Sequence, residues 1–446
     1  MLLQTIISQY SEYSLLNTLY INTNKNGSEF KPLDPGYSYQ IGYNPVDGFW
    51  YFSSGMTGGV PNNRAATIYK VNCKLQVLES YKLQLSNDIT STYDSHPVAN
   101  INFDNMGNVY ICREKGKNST GDSDGHNTDI LLYKLNQGEK LSSISLIKTM
   151  PGFYAYPTLN IYGNTMYITA RGSSSEAALD RYDVLKSTDA GATFSTYNVI
   201  NTGLGTTARA YASTLYNYDD SDLVIALNIR NDAVKAFEAV YVLRSSDGII
   251  WRNAENTFSK NVSVSGAITM AELEANYLVW RKANDNYAIL FEGGVVKGGK
   301  IQLLLSNSLV SQIPVNGNSY QTFENLRFYT FSGSAWNYKD LSKILPNYFY
   351  LGAVERTILF CYDSTKNYIY VVDKTTPITS LTEYSSDNDF NNYVKNKVED
   401  LKGNYYMGSH VFNANSNKQR LLILNDIQGD WNDFNDSGNI KLYTPK

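Results

Sequence analysis

Two short turn sequences constrain this chain more than any other feature. "KSTDAGATF" (Ser187, Asp189, Gly191, Thr193, Phe194) fits the Asp-box pattern S-x-D-x-G-x-T-W/F, and "RSSDGIIW" (Ser245, Asp247, Gly248, Trp251) repeats it shortened by one residue, with the aspartates 58 residues apart. In such a turn the carboxylate accepts hydrogen bonds from backbone amides and from its hydroxyl neighbour, while the aromatic packs between sheets. The device staples a hairpin and does no chemistry. A turn repeated at that spacing points to a repeated four-stranded unit of about 45 to 60 residues. The 446 residues then divide into about seven such units, as in a β-propeller. A tandem of β-sandwiches and a β-helix are the competing architectures.

The rest of the chain supports an all-β fold. Short runs dense in Val, Ile, Tyr and Phe recur between Gly, Asn, Asp and Ser: "FWYFSSG", "ATIYKVN", "NVYICRE", "DILLYKL", "TMYITARG", "LVIALNIR", "AVYVLRS", "YLVWRK", "YAILFEGG", "IQLLLSN", "TILFCYD", "YIYVVDK" and "RLLILND". Tight turns are legible in "FDNMGNVY" and "IYGNTMY", where Asn and Gly supply positive φ. Only "EYSLLNTLY" (residues 12–20) and "NDFNNYVKNKVEDL" (residues 388–401) carry patterns compatible with short helices. No linker-like tract divides the chain, so the expectation is an N-terminal extension over residues 1–35 and one propeller domain over 36–446, seven four-stranded blades in all.

Composition narrows the partners. Charged residues are 18% of the chain and the net charge is -4, which supplies neither a nucleic-acid-binding patch nor a basic stretch for membranes. An acidic polymer has to be met by a few placed arginines. The 37 tyrosines suit strands, and they also suit surfaces that stack on sugars, since each offers a flat apolar face with a hydroxyl at its tip. Cys73, Cys112 and Cys361 are odd in number and show no CxxC pair, so they read as small core residues. The N-terminal twenty residues lack a basic n-region and their apolar run is interrupted, so they fail as a secretory signal. The expectation is an extracellular or virion-associated protein, without membrane insertion, its signal removed or its release dependent on lysis.

Candidate chemistry gathers at strand ends. Of three histidines, His96 lies in "TYDSHPVANINFD" and His126 in "GDSDGHNTDILLYK", each just before a strand. In a propeller such positions line the mouth of the central channel. Tyr156 opens the hairpin "YAYPTLNIYGNTMYITARG" and Arg171 closes it; Tyr211 lies in "ARAYAS" and Arg230 ends "IALNIRND". A lone strand tyrosine ordinarily packs and a lone strand-end arginine is ordinarily solvated, but their order through successive hairpins suggests a set. No Asp or Glu stands out beside them, which leaves paired-carboxylate glycoside hydrolysis without support. Two oxygen-rich stretches, one with Asp122, Asp124 and Asp129 and the other with Asp426, Asp430, Asp433 and Asp436, suit a structural Ca²⁺ or plain solvated turns, and neither has EF-hand spacing. No cofactor is required.

"DSHP", "GHNTDILLYK", "YAYPTLNIYGNTMYITARG", "RAYAS", "LNIRND" and "RSSDGIIWR" together resemble the BNR-repeat propellers, and among them the seven-bladed polysaccharide lyases that act on ulvan. The resemblance covers residues from about 90 to 260. It implies catalytic roles for His96, His126, Tyr156 and Tyr211, with Arg171 and Arg230 binding substrate. In such lyases a Tyr or His removes the C5 proton of a uronic acid, a His or Tyr protonates the departing glycosidic oxygen, and arginine neutralises the uronate carboxylate. The physical logic is independent of the family. Arginine beside the carboxylate stabilises enolate-like charge, and a cation lowers a tyrosine's pKa from about 10 towards that of a working base. A sialidase fits less well, because its three arginines, Tyr/Glu nucleophile pair and acid Asp are not assembled in the sequence. The functional expectation is therefore a lyase acting on an acidic polysaccharide. The alternatives are a non-catalytic glycan- or receptor-binding propeller, for example on a phage tail fibre, and a protein-interaction propeller.

Overall fold

The computed structural model describes residues 13–19, 41–54, 66–72, 76–83, 99–115, 128–173, 180–205, 207–231, 236–284, 287–309, 320–321, 323–345, 349–350, 358–362, 365–373, 379–401, 405–412, 420–427 and 438–445. Every apolar run quoted above contains a strand.

After β1 (Tyr13–Leu19), the chain builds antiparallel sheets in sequence order. The first holds β2 (Ile41–Asn44), β3 (Phe49–Ser54), β4 (Thr67–Val71) and β5 (Val77–Lys82). Next come β6 (Asn100–Phe103), β7 (Val109–Glu114), β8 (Thr128–Leu135) and the first part of β9 (Ser145–Tyr162). The second part of β9 opens a further group with β10 (Thr165–Gly172), β11 (Arg181–Ser187) and β12 (Ser195–Asn201). The pattern repeats in β13 (Ala208–Asn217), β14 (Leu223–Asn231), β15 (Ala236–Ser245) and β16 (Ile250–Arg252). An insertion follows, with β17 (Ser259–Asn261), α1 (Val262–Ser265), β18 (Ile268–Thr269), α2 (Met270–Asn276) and β19 (Leu278–Arg281), the last paired with β15. β20 (Tyr287–Lys297) and β21 (Lys300–Leu309) are joined by β23 (Phe323–Phe331) and β24 (Trp336–Asp340), while β22 (Tyr320–Gln321) pairs with β25 (Phe349–Tyr350). Then come β26 (Ile358–Tyr362), β27 (Asn367–Asp373), β28 (Thr379–Ser386) and β29 (Val394–Leu401), and finally β30 (Tyr405–Phe412), β31 (Arg420–Ile427) and β32 (Gly438–Pro445).

β1 pairs antiparallel with β32, so the two ends of the chain share one sheet. A meander of four-stranded sheets in chain order, closed in this way, is the strand arrangement of a β-propeller. Apolar clusters lie between successive groups. One joins Tyr51 and Ile68 to Ile111 and Leu131, the next joins Cys112 and Leu132 to Leu159 and Ile168, and a third joins Tyr167 and Val184 to Ile225 and Tyr241. The groups from β2 to β16 thus bury faces against one another.

Two expectations are corrected. Residues 13–19, the described part of the first stretch, and residues 388–401 are not helical, since the first form β1 and the second contain a turn followed by β29. Strand pairing with β32 and β28 overrides local propensity there. Among the described residues the α-helices are α1 and α2, which lie elsewhere. α2 starts at a capping box in which Thr269 accepts from Glu272 N–H and Glu272 accepts from Thr269 N–H.

The aspartate-centred turns join the third and fourth strands of their groups. Asp189 accepts from Ser187 Oγ at 2.7 Å, Thr193 N at 2.9 Å and Thr193 Oγ1 at 2.6 Å. These bonds hold its carboxyl down at a pKa of about 2, the Thr193 side chain first among them. Asp247 accepts from Ile249 N and Ile250 N, both at 2.8 Å, beneath fully buried Trp251. A third turn of the same form links β28 to β29, where Ser386 Oγ accepts from Phe390 N at 3.0 Å and Asn388 Oδ1 accepts from Asn392 N at 3.1 Å. The sequence pattern missed it because Asn388 replaces the aspartate and Phe390, at φ 59°, replaces the glycine. Phe390 is fully buried and packs edge-on against Phe328, 5.0 Å between ring centroids.

Gly248 shows what the glycine of such a turn does. Its φ is 72°, and an added Cβ would lie 2.8 Å from Cε1 of Tyr167, a residue of the neighbouring group. Gly248→Ala is expected to destabilise the protein by about 2 kcal/mol, combining left-handed strain with a clash. Gly163→Ala, at φ 61° with nothing within 4 Å, is expected to cost about 1 kcal/mol. Urea unfolding of the two variants checks the difference.

Candidate functional site

The hairpin of β9 and β10 brings its two ends together through an irregularity in the ladder. Thr169 faces Thr158 and Arg171 faces Ala155, so Tyr156 and Pro157 together oppose Ala170 as a β-bulge. Pro157 has no N–H to give to the ladder, which suits this position. Tyr156 takes φ 55°, a left-handed conformation that costs a bulky side chain about 1–3 kcal/mol unless its surroundings hold it. The carboxylate of Glu114, at the end of β7, does so by accepting the Tyr156 N–H at 2.7 Å.

Arg171 lies beneath this bulge at 2% exposure. Its guanidinium carbon is 4.8 Å from the ring centroid of Tyr156 and 5.3 Å from that of Tyr211, and the two tyrosine rings are 5.8 Å apart. Phe237 meets Tyr211 edge-on at 5.3 Å. Arg171 Nε and Nη1 are buried without a hydrogen-bond partner. A buried, unpaired ion costs several kcal/mol, and each desolvated cation–π contact returns about 2 kcal/mol. The rings offset part of the cost and leave two donors unsatisfied.

Tyr211 belongs to β13, and Arg230 lies near the end of β14, two residues along the ladder from the Tyr211–Asn228 pair. Burial alone would push the Tyr211 hydroxyl up. The charges of Arg171 and Arg230, a hydrogen bond from Arg230 and the charge of Arg209 outweigh it, so its pKa lies below the ordinary tyrosine value. Buried tyrosines elsewhere move the other way: desolvation first, then Asp104, pushes Tyr110 up to about 12.

Four of the six expected site residues, Tyr156, Arg171, Tyr211 and Arg230, therefore share one place. His96 and His126 lie outside the described residues. The expectation that no carboxylate stands beside this set is corrected by Glu114, which is buried and touches Tyr156. Its contact spans 42 residues and involves a backbone amide, so no side-chain pattern announced it. Of the Ca²⁺ candidates, Asp129 accepts from Gly152 N at 3.1 Å and pairs with Lys115 at 3.5 Å. Asp122, Asp124, Asp430, Asp433 and Asp436 lie outside the described residues, as does the side chain of Asp426. Among the described residues no group of three or more His, Cys, Asp or Glu is placed to hold a metal. Cys112 and Cys361 are buried and unpaired, while Cys73 lies outside the described residues.

No protein-family profile matches the sequence. No curated protein matches it either. Among solved structures, an α-L-arabinofuranosidase from Fusarium graminearum is similar at TM-score 0.43 and 10% identity, over 77% of this chain and 91% of that one. An α-L-arabinanase from Penicillium chrysogenum gives 0.42 and 10% over the same shares. The WD40 domain of SCAP from fission yeast gives 0.38 and 8%, over 93% of this chain and 97% of that one. Likeness at this level adds nothing to the strand topology and carries no activity across.

Proposed function

We propose that the chain is a seven-bladed, carbohydrate-active propeller of the BNR-repeat type that cleaves a uronic-acid-containing polysaccharide by β-elimination. The blade count is supported by the run of four-strand groups from β2–β5 round to β30–β32 with β1. The observation that carries the chemistry is Arg171, buried beside the rings of both Tyr156 and Tyr211 with two donors unspent.

In this reading the uronate carboxylate takes the free donors of Arg171, with Arg230 beside it. Pairing acidifies the adjacent C5–H and stabilises the charge that builds on the carboxylate as the proton leaves. Tyr211, its pKa lowered by the same arginines, takes that proton as phenolate. The C5 electron pair forms the C4–C5 double bond, the C4–O bond breaks, and the departing oxygen takes a proton from Tyr156 or a histidine. No water enters the products.

A panel of uronate polymers, comprising ulvan, pectate, alginate and glycosaminoglycans, tests this through the ultraviolet absorbance of an unsaturated uronate. Absorbance growing with one polymer is expected. Binding to a polymer without any absorbance change across the panel would overturn the lyase and leave a glycan-binding propeller, which uses Arg171 but has no need of a lowered Tyr211.

Glu114 enters as a positioning residue. Glu114→Ala is expected to lower kcat about tenfold with little change in KM, because Tyr156 loses the acceptor that fixes its backbone. Glu114→Gln keeps a carbonyl acceptor and is expected to retain most of the activity. Steady-state kinetics on the three proteins checks both.

A further inference from the structure

Arg113 has the same place in its strand as the two arginines already described. β7, β10 and β14 are the second strands of three successive groups, and each carries an arginine next to its last residue: Arg113, Arg171 and Arg230, spaced 58 and 59 residues apart. Arg113 is 1% exposed, and its Nε donates to the backbone oxygen of Glu114 at 2.8 Å. Nη1 and Nη2 are buried and have no hydrogen-bond partner. Among the described residues no carboxylate forms an ion pair with it.

The side chain faces away from the Arg171 pocket. Alternation along β7 sends Cys112 and Glu114 towards β9 and β10, and sends Ile111 towards the β2–β5 sheet, among Tyr51, Ile68, Leu131 and Tyr133; Arg113 shares the face of Ile111, close enough to Tyr133 for its charge to act on that hydroxyl. A guanidinium cannot shed its proton, and an apolar cluster does not compensate its charge. The Nε bond to Glu114 fixes the plane of the fork and leaves the Nη1/Nη2 edge, whose spacing matches two oxygens of one oxyanion.

We propose that Arg113 forms a second oxyanion site, between the β2–β5 sheet and the β6–β9 sheet, that takes a carboxylate or a sulfate half-ester. The site itself follows from Arg113 alone. Only the source of the anion, a second acidic group on the same polysaccharide, rests on the reading of the Arg171 pocket. A chain held at both points would be read in register, one acidic group at each arginine.

Thermal unfolding in sodium sulfate and in sodium acetate, each against sodium chloride at matched ionic strength, tests the site without any turnover. Arg171→Met, which lacks the other anion pocket, is expected to gain about 1–3 °C with at least one of the two anions, and the Arg113→Met/Arg171→Met double variant is expected to gain nothing. Sulfate alone raising the midpoint indicates a half-ester site, and acetate alone a carboxylate site. An unresponsive Arg171→Met protein, or a double variant that responds as Arg171→Met does, would overturn the proposal. Should the double variant not fold, wild-type crystals grown in selenate give the second measurement: an anomalous peak within hydrogen-bond distance of Arg113 Nη1 and Nη2 is expected, and its absence rejects the site. Neither measurement depends on cleavage of any polymer.

Discussion

Arg171→Lys is expected to lower kcat/KM on a uronate polymer about a thousandfold, the scale of losing one preorganised donor set at the charge that develops in the transition state. Lysine keeps the charge but not the planar fork, and its compact ammonium lacks the delocalised plane that the guanidinium sets beside two rings at 4.8 and 5.3 Å. Arg171→Met supplies the complementary result. It removes a cation that is 2% exposed with two unpartnered donors, so the variant is expected to be inactive yet at least as stable as wild type, by about 1 kcal/mol or more. An arginine retained for structure behaves in the opposite way, since its loss destabilises. Urea titration beside the kinetic assay therefore separates a site held at the expense of stability from a staple.

Tyr211→Phe is expected to lower kcat by a factor of about a hundred to ten thousand, the usual contribution of a positioned general base. Its signature is in the pH dependence. The folded-state pKa of Tyr211 lies below its unfolded value of about 10, because Arg171, Arg230 and Arg209 outweigh burial. The folded protein thus binds fewer protons than the unfolded chain between those two values. The stability Tyr211 contributes is present in full above the unfolded pKa and is lost as pH falls through the folded one. Activity should rise over that same lower transition. Ultraviolet difference titration of wild type is expected to show one phenolate ionising ahead of the others, absent from Tyr211→Phe. Equal titration of the two proteins would remove Tyr211 from the role of base.

Much of the fold was legible because its signals are local. The apolar runs became strands, and "KSTDAGATF" and "RSSDGIIW" marked the links between third and fourth strands, since each such turn satisfies its own hydrogen bonds within a few residues. Errors arose where partners are distant. "EYSLLNTLY" reads as a possible helix until β32, at the far end of the chain, offers it an edge. "NDFNNYVKNKVEDL" hides a turn whose polar anchor is Asn388 and whose left-handed position is filled by Phe390. At the site, the order of Tyr156, Arg171, Tyr211 and Arg230 along the chain was enough to group them. Glu114 was not legible, because it grips an amide and not a side chain. Arg113 was legible only as a period: the spacing from 113 to 171 to 230 repeats that of the aspartate turns, but its meaning depends on knowing that each arginine ends a second strand.

The central claim is elimination directed by the Arg171 pocket, and the mass balance of the products tests it most directly. Mass spectrometry of a defined uronate oligosaccharide after incubation with wild type is expected to give fragments whose masses sum to that of the substrate, one of them carrying an unsaturated end, with none formed by Arg171→Lys over the same period. Fragments whose masses sum to substrate plus one water, or cleavage that Arg171→Lys carries out as well as wild type, would contradict it.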